Sequence, residues 1–499
     1  MMRVMKKCAH SVCAAMFVVL LCAQAAHADG GNVRLSPSAV QDMVLERSFG
    51  VKQFEMTREV AAQSIPEAKG VFDTFLSGSA SYNLNEEKQI NPIFGTRSDN
   101  VSWNLGLAKE LSPTGTTLGL SLDSDWTKTA GSLAVGGTPI IPNFGLYEPV
   151  LGISLSQPFM QNAFGVNDRG AVQSARHYYA SADYGVRREV DKEIYKALND
   201  YWTLFFTRHQ MKALKQAIAF AQEFLSATLE ERKLGIAEET DVLAARANLL
   251  SRQSEYDAYR ELERTTEEAV RTDLELMPGQ ELMLSEELPP KIRSMGGVED
   301  MIAKAMTLRG DYLAAIENVR RQRVNVKMAK NKRWPQLDLV STLALNEIDR
   351  GYLDALGDMD SPNFTVGLNL SVPLENRAAR AGARRAEADK ARAVYALKDL
   401  ENRIANEITH LAEAIGDRLR IVETTKSAMD LNLQKQRLEM QKYRQGRSSS
   451  DLVKRYQDDT VASQRGLFEA WLLYQKTLLD LHLAQGTMIA ESTEAREDK

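Results

Sequence analysis

A short pattern that occurs twice constrains this chain more than any other feature. Residues 151–158 read LGISLSQP and residues 366–373 read VGLNLSVP, and each copy opens a long stretch without proline. All 14 prolines lie outside residues 159–277 and 374–499, so two very long segments are free of the strongest helix breaker. Alternating apolar and polar residues ahead of each Leu-Ser-x-Pro predict strands, and the proline-free stretches predict long helical hairpins. A duplicated unit of this kind means that one architecture is built twice and packed against itself.

The repeat sets the domain organisation. A leader at 1–28 precedes a first repeat over 29–290, and a second repeat covers 291–499. In the first, Ser36 and Pro37 open a helix over 36–70, strands follow within 74–158, and a long helical hairpin occupies 159–277. In the second, a helix spans 298–333, strands fall within 337–373, and the long hairpin runs over 374–490. A loop at 346–362 separates the two strands of this half. The first half holds more strand than the second. Val101, Trp103, Leu105 and Leu107 alternate with small or polar residues, a Ser112-Pro113 turn follows, and Leu118, Leu120 and Leu122 alternate back. This inserted hairpin, 101–126, leaves long polar loops at 86–100 and 127–146 on one side and a tight turn on the other, as membrane barrels arrange their connections.

Leu397, Leu400, Ile404, Ile408, Leu411, Ile415, Leu419 and Val422 recur every three or four residues, close to the 3.5 period of a left-handed supercoil. An unbroken helix from Asn167 to Leu234 would be ~100 Å long at 1.5 Å per residue. No ordinary compact domain covers such a length, so four of these helices imply a wall or a tube.

Arg3, Lys6 and Lys7 precede an apolar run from Ser11 to Ala23, and Ala26 and Ala28 supply the small residues a signal peptidase reads. Export is expected. The three cysteines, Cys8, Cys13 and Cys22, all fall in that leader, which leaves no thiol, disulfide or cysteine metal site beyond it. Beyond residue 28 the 67 acidic residues outnumber the remaining basic ones, an acidic balance that argues against nucleic acid as partner. No later window approaches the ~18 to 20 apolar residues of a membrane-spanning helix, so insertion into a membrane requires strands.

Both long hairpins turn at related sequences. Leu234, Gly235 and Ile236 lead to Thr240 and Asp241; Tyr443 and Gly446 lead to Ser450 and Asp451. Glycine suits the left-handed helix stop, and Thr240-Asp241 or Ser450-Asp451 offers a side-chain oxygen to cap the returning helix.

Taken with the run RWPQLDL at 333–339, the two strand exits and Gly486 near the last helix end, these pieces make the chain resemble the TolC family of outer-membrane channels over nearly all of residues 35–490. The resemblance implies a mainly α fold with a membrane β-barrel portion. Three protomers would jointly close the barrel in outer-membrane lipid and a helical tunnel in the periplasm. It also implies a passive exit duct for efflux or type I secretion, coupled to a periplasmic adaptor and an inner-membrane pump, with no catalysis. By the same resemblance Leu234, Gly235, Ile236, Gly446 and Arg447 mesh with the adaptor, and Asp241, Tyr443, Arg447, Asp451 and Lys454 surround the periplasmic aperture. Tyr443 and Asp241 match partners that hold the entrance shut by hydrogen bonding. Lys454 stands where the family often has a second acid, so Asp451 and Lys454 are candidates for ion pairs around the pore. The family pattern is four strands per protomer; the inserted hairpin raises six as the alternative.

Six histidines show no ligand spacing, and neither a phosphate-binding glycine loop nor a nucleophile motif is present, so no metal, cofactor or enzymatic activity is expected. A periplasmic or surface coiled-coil adhesion or scaffold protein is the competing reading, disfavoured by strands of membrane-spanning length in both halves. Cargo is not encoded in such a duct, because the pump selects it.

Overall fold

The computed structural model describes residues 33–86, 97–130, 134–135, 138–139, 144–277, 279–285 and 296–489. The expected leader at 1–28 with its three cysteines, most of the loop at 86–100 and much of that at 127–146 lie outside them. The chain divides into two compact units. One comprises residues 1–53, 189–308 and 405–499, the other residues 54–188 and 309–404.

The second unit contains one antiparallel sheet of six strands: β2 (Thr74–Asn85), β3 (Arg97–Leu111), β4 (Thr116–Ala130), β5 (Leu146–Pro158), β7 (Gln336–Asn346) and β8 (Ser361–Ser371). Their order is β8-β7-β5-β4-β3-β2. The inserted hairpin is therefore paired on both sides within the sheet, β3 with β2 and β4 with β5. One row of residues shows what the alternation does: Leu76, Leu107, Leu120, Ile153, Leu343 and Phe364 lie side by side across all six strands, every one exposed. The next row on the other face is Ser77, Gly106, Ser121, Gly152, Ala344 and Asn363. Successive residues point to opposite faces, so a period of two segregates the apolar from the polar face.

At 352–357, inside the expected loop, lies a short helix, α8 (Tyr352–Gly357). Its Tyr352 meets Tyr147 edge-on at 5.6 Å between ring centroids and Trp103 at 6.3 Å. Trp103 and Tyr147 are thus packed against protein, whereas Tyr82 and Phe364 remain exposed.

The helix expected over 36–70 is three helices, α1 (Pro37–Arg47), α2 (Phe49–Ala62) and α3 (Ser64–Lys69). Ser36 caps α1 by accepting from the Ala39 amide at 3.1 Å. Pro66 has no N–H to give the Ala62 carbonyl, which explains the break after Ala62. The helix expected over 298–333 is likewise two, α6 (Val298–Leu308) and α7 (Gly310–Asn331), separated at Arg309, whose backbone is extended. Gly310 is required where it stands, because a Cβ there would meet the Tyr184 carbonyl oxygen at 2.3 Å. Around it α7 packs on the start of α4 (Val166–Lys233) through His177 and Glu317 at 2.7 Å and Ser174 with Asn325 at 3.0 Å.

In the first unit, the middle of α4 carries Tyr201, Trp202, Phe205 and Phe206, all buried and in ring contact with one another. A two-stranded parallel sheet of β1 (Val33–Leu35) and β6 (Leu282–Leu284) closes over them, burying Leu35 and Leu282. Arg208 donates to the Leu282 carbonyl at 2.6 Å, to Glu263 at 2.8 Å and to Glu267 at 2.9 Å, so its charge is fully used. α5 (Glu239–Asp273) returns from the tip of α4. The second long hairpin is α9 (Arg377–Arg444) and α10 (Ser450–Gln485). Among the described residues no helix is long and apolar enough to cross a membrane.

Candidate functional site: the helical hairpin tips

Both hairpins reverse by the same backbone device. Gly235 has φ +76° and Gly446 φ +71°, the left-handed conformation that glycine takes without steric cost. The Gly235 amide donates to the Arg232 carbonyl at 3.0 Å and Ile236 to Glu231 at 2.9 Å; Gly446 donates to Tyr443 at 2.8 Å and Arg447 to Lys442 at 2.9 Å. Each is a Schellman stop, which satisfies the last carbonyls of the descending helix.

The returning helices are capped earlier than the sequence implied, two residues before Thr240 in the first hairpin and one residue before Ser450 in the second. α5 starts from Glu238, whose amide donates to Asp241 at 3.0 Å in a reciprocal capping box. The cap of α10 is Ser449, which accepts from the Leu452 amide at 3.4 Å. Asp241 also accepts from the Ser450 hydroxyl at 2.5 Å, a link between the two hairpins. Ser450 and the Glu238 amide together hold the Asp241 carboxyl below its usual pKa.

Tyr443 is buried. Its hydroxyl meets that of Thr228 at 3.2 Å and its ring lies 5.4 Å from Phe224. Burial, with Glu231 close by, pushes its phenol up to about 12. Asp241 and Tyr443 therefore sit in one neighbourhood but bond different partners, Ser450 and Thr228. Within the chain Asp451 pairs with Arg455 at 3.3 Å. Arg447 is exposed and donates to Gln445 at 3.3 Å. Leu234 and Ile236 are 75% and 69% exposed beside their glycine.

Behind the tips the structure adds residues that the sequence did not single out. Gln457 is fully buried, accepting from Asn248 at 2.7 Å and donating to the Ala217 carbonyl at 3.1 Å. Arg252, also buried, pairs with Asp458 and with Glu255 at 2.9 Å. Polar side chains at positions where the heptads call for apolar ones were the available signal. Among the described residues no group of three or more His, Cys, Asp or Glu side chains is placed to hold a metal ion.

No protein-family model and no curated protein matches the sequence. Solved structures do match. The outer-membrane channel OprN is 14% identical, with 90% of each chain covered and a TM-score of 0.68. The CmeC outer-membrane channel of Campylobacter jejuni is 14% identical, covering 93% of this chain and 88% of its own, with a TM-score of 0.65. The outer-membrane protein VceC of Vibrio cholerae is 15% identical, covering 90% of this chain and 96% of its own, with a TM-score of 0.65. The fold is that of the TolC family of outer-membrane channels. The match extends over nine-tenths of a chain that holds both the paired strands and the long helical hairpins.

Proposed function

We propose that this protein is a passive outer-membrane exit duct for efflux or type I secretion, built from three copies. The observation that carries the reading is the sheet of the second unit. One face is apolar and exposed on all six strands, the other is small and polar, and among the described residues β2 and β8 end the sheet with no further strand beside them. Such a face needs lipid, and lipid forbids open edges, so the sheet has to close. With six alternating strands β2 and β8 run in opposite directions. A β8 placed beside the β2 of a neighbour continues the antiparallel order.

Three copies then give eighteen strands. Diameter grows roughly linearly with strand number, so the bore is about half again as wide as that of a twelve-stranded barrel, and 16 to 18 strands are enough for an aqueous channel. The apolar row from Leu76 to Phe364 faces lipid and the row from Ser77 to Asn363 faces water. In this reading the long helices of the three copies form a periplasmic tunnel. The tips at Gly235 and Gly446 form its entrance, and an adaptor and an inner-membrane pump engage there.

Single cysteines at Leu105, Leu107, Leu118 or Leu120, in a chain with no cysteine after Cys22, test it. All should react with a lipid-phase thiol probe in outer-membrane preparations that contain heat-resistant trimers. Labelling by a water-soluble reagent alone would reject a spanning role for the hairpin, and absence of trimers would reject the duct.

A further inference from the structure

We infer that the helical end of the six-stranded sheet carries a collar for anionic phospholipid headgroups, built where α7 ends and α9 begins. The inference rests on the membrane-inserted sheet proposed above and adds a ligand to its helical side. Lys327, Lys330, Lys332 and Arg333 lie at the end of α7 or just past it, and all are exposed. Arg377, Arg380, Arg384 and Arg385 open α9 and are exposed as well. Residues 327–333 and 374–385 together hold a single acid, Glu375.

The two groups form one surface. The Asn376 side-chain amide donates to the Arg333 carbonyl at 2.8 Å, which ties the start of α9 to the end of α7. Lys330 reaches Glu387 of α9 at 2.8 Å. Arg377, Arg380 and Arg384 share the stripe of α9 that leads to Glu387, at spacings of three, four and three residues. Lys330, with Arg333 and Arg384 near, holds the Glu387 carboxyl below its usual pKa. Among the described residues the other seven cations have no carboxylate within ion-pair distance, so the surface keeps a large positive excess.

This surface adjoins the apolar face of the sheet. Phe364, Val366, Leu368 and Leu370 of β8 are exposed on that face, and Val372 and Leu374 continue the alternation past the strand end, Leu374 at 88% exposure and three residues from Arg377. Trp334, also exposed, stands next to Arg333. An indole and basic side chains beside an apolar band suit the boundary between hydrocarbon and headgroups. Arg377 to Arg384 spans ~10 Å of helix, about the distance over which an anionic leaflet attracts cations at physiological salt.

Charge elsewhere in the unit decides between occupants. The other segments at this end, 64–73 and 159–169, hold Glu67, Asp73 and Asp168 against Lys69 and Arg169, and the turn at 112–115 is uncharged. A neighbouring copy therefore offers too little negative charge to cover the collar. At the opposite end of the sheet, residues 346–362 hold five acids against Arg350, so the positive excess belongs to the helical side alone. An anionic solute in a water-filled bore would not call for Trp334, Val372 and Leu374 beside the cations.

Lipid retention tests the collar. Protein purified in detergent and offered micelles doped with phosphatidylglycerol or phosphatidylcholine should, by native mass spectrometry, retain at least about fivefold more of the anionic lipid, and less as salt rises. Lys327→Gln combined with Arg377→Gln, Arg380→Gln and Arg384→Gln should abolish the preference. Arg260→Gln with Arg264→Gln, equally exposed on α5, should leave it intact. Brominated phosphatidylglycerol should quench the fluorescence that Trp334→Phe removes more strongly than brominated phosphatidylcholine does. Excess glycerol phosphate should not displace the lipid; displacement would assign the surface to free phosphate esters and overturn a lipid collar. Equal retention of the two lipids by wild type, or a preference unchanged in the fourfold variant, would overturn the collar while the sheet cysteines still label from lipid. Cysteines that label only from water would overturn the membrane reading and the collar with it.

Discussion

At the first hairpin tip the glycine stands between two apolar side chains, Leu234 and Ile236, both largely exposed; at the second it stands between Gln445 and Arg447, which bond each other. The backbone is the same in both, a left-handed glycine with the same pair of amide-to-carbonyl bonds. A helix stop of this type often folds the residue after the glycine back onto the last turn as an apolar contact. Ile236 at 69% exposure leaves that use unfilled. The comparison separates two demands. Stopping a helix is a backbone matter and fixes the glycine, whereas the flanking side chains are free to suit whatever each tip faces. In the proposed duct the first tip would offer an apolar contact to the adaptor, and the second would contribute polar groups to the entrance.

The strongest way to break the comparison is at the shared element. Gly235→Leu and Gly446→Leu each force a branched side chain into a left-handed conformation at a cost of about 1–3 kcal/mol, and block close backbone approach. Each should abolish export while trimers still reach the outer membrane, as read by efflux assays beside heat-resistant bands. Normal export by both variants would remove the tips from the coupling model.

A smaller effect should distinguish the tips. Burying Leu234 or Ile236 against a partner is worth roughly 1.5–3 kcal/mol per side chain, so Leu234→Ser combined with Ile236→Ser should weaken adaptor binding by tenfold or more. Arg447→Ser, an exposed polar change, should alter it by less than about threefold. Calorimetry with the cognate adaptor reads both, and equal losses would mean that the tips are not chemically specialised.

The smallest expected effects concern the links between the hairpins. Tyr443→Phe removes the contact with Thr228, and Asp241→Ala removes both the Ser450 link and half of a capping box, each on the order of 1 kcal/mol. Single-channel conductance in planar bilayers should rise in both. The Asp241 contribution also has a pH signature. Its carboxyl is held below the usual value, so the stabilisation is present above the ordinary carboxylate range and is lost as pH falls through the lowered value. The conductance difference between wild type and Asp241→Ala should therefore be full at pH 7 and vanish in acid; a difference that persists below the carboxylate range would assign the effect to another group.

Legibility in the sequence followed the range of the forces concerned. Strand positions, the inserted hairpin, the helix stops and the choice of glycine at 235 and 446 were readable, because period-two alternation, proline placement and left-handed φ are local properties. The single helix read over 36–70 failed at Ala62 for a local reason that was equally available, the missing N–H of Pro66. Breaks at Ser48 and Arg309 were less visible, since the close approach of Gly310 to the Tyr184 carbonyl belongs to packing. At the tips the resemblance singled out Asp241 and Tyr443, but not that Ser450 and Thr228 are the groups they bond.

The sequence by itself determined the periods, two in the strands and near 3.5 in the helices, and with them which face of each element is apolar. Only the tertiary structure decided which faces meet. The place of β3 and β4 inside the sheet depends on pairing with β2 and β5, strands reached through turns and loops whose path no local pattern dictates. The burial of Asn248, Arg252 and Gln457 depends on three helices converging from distant parts of the chain. Hydrogen bonds and charge pairs act over a few ångströms. Which residues come within that distance is set by packing the whole chain, and packing is not written in any one segment.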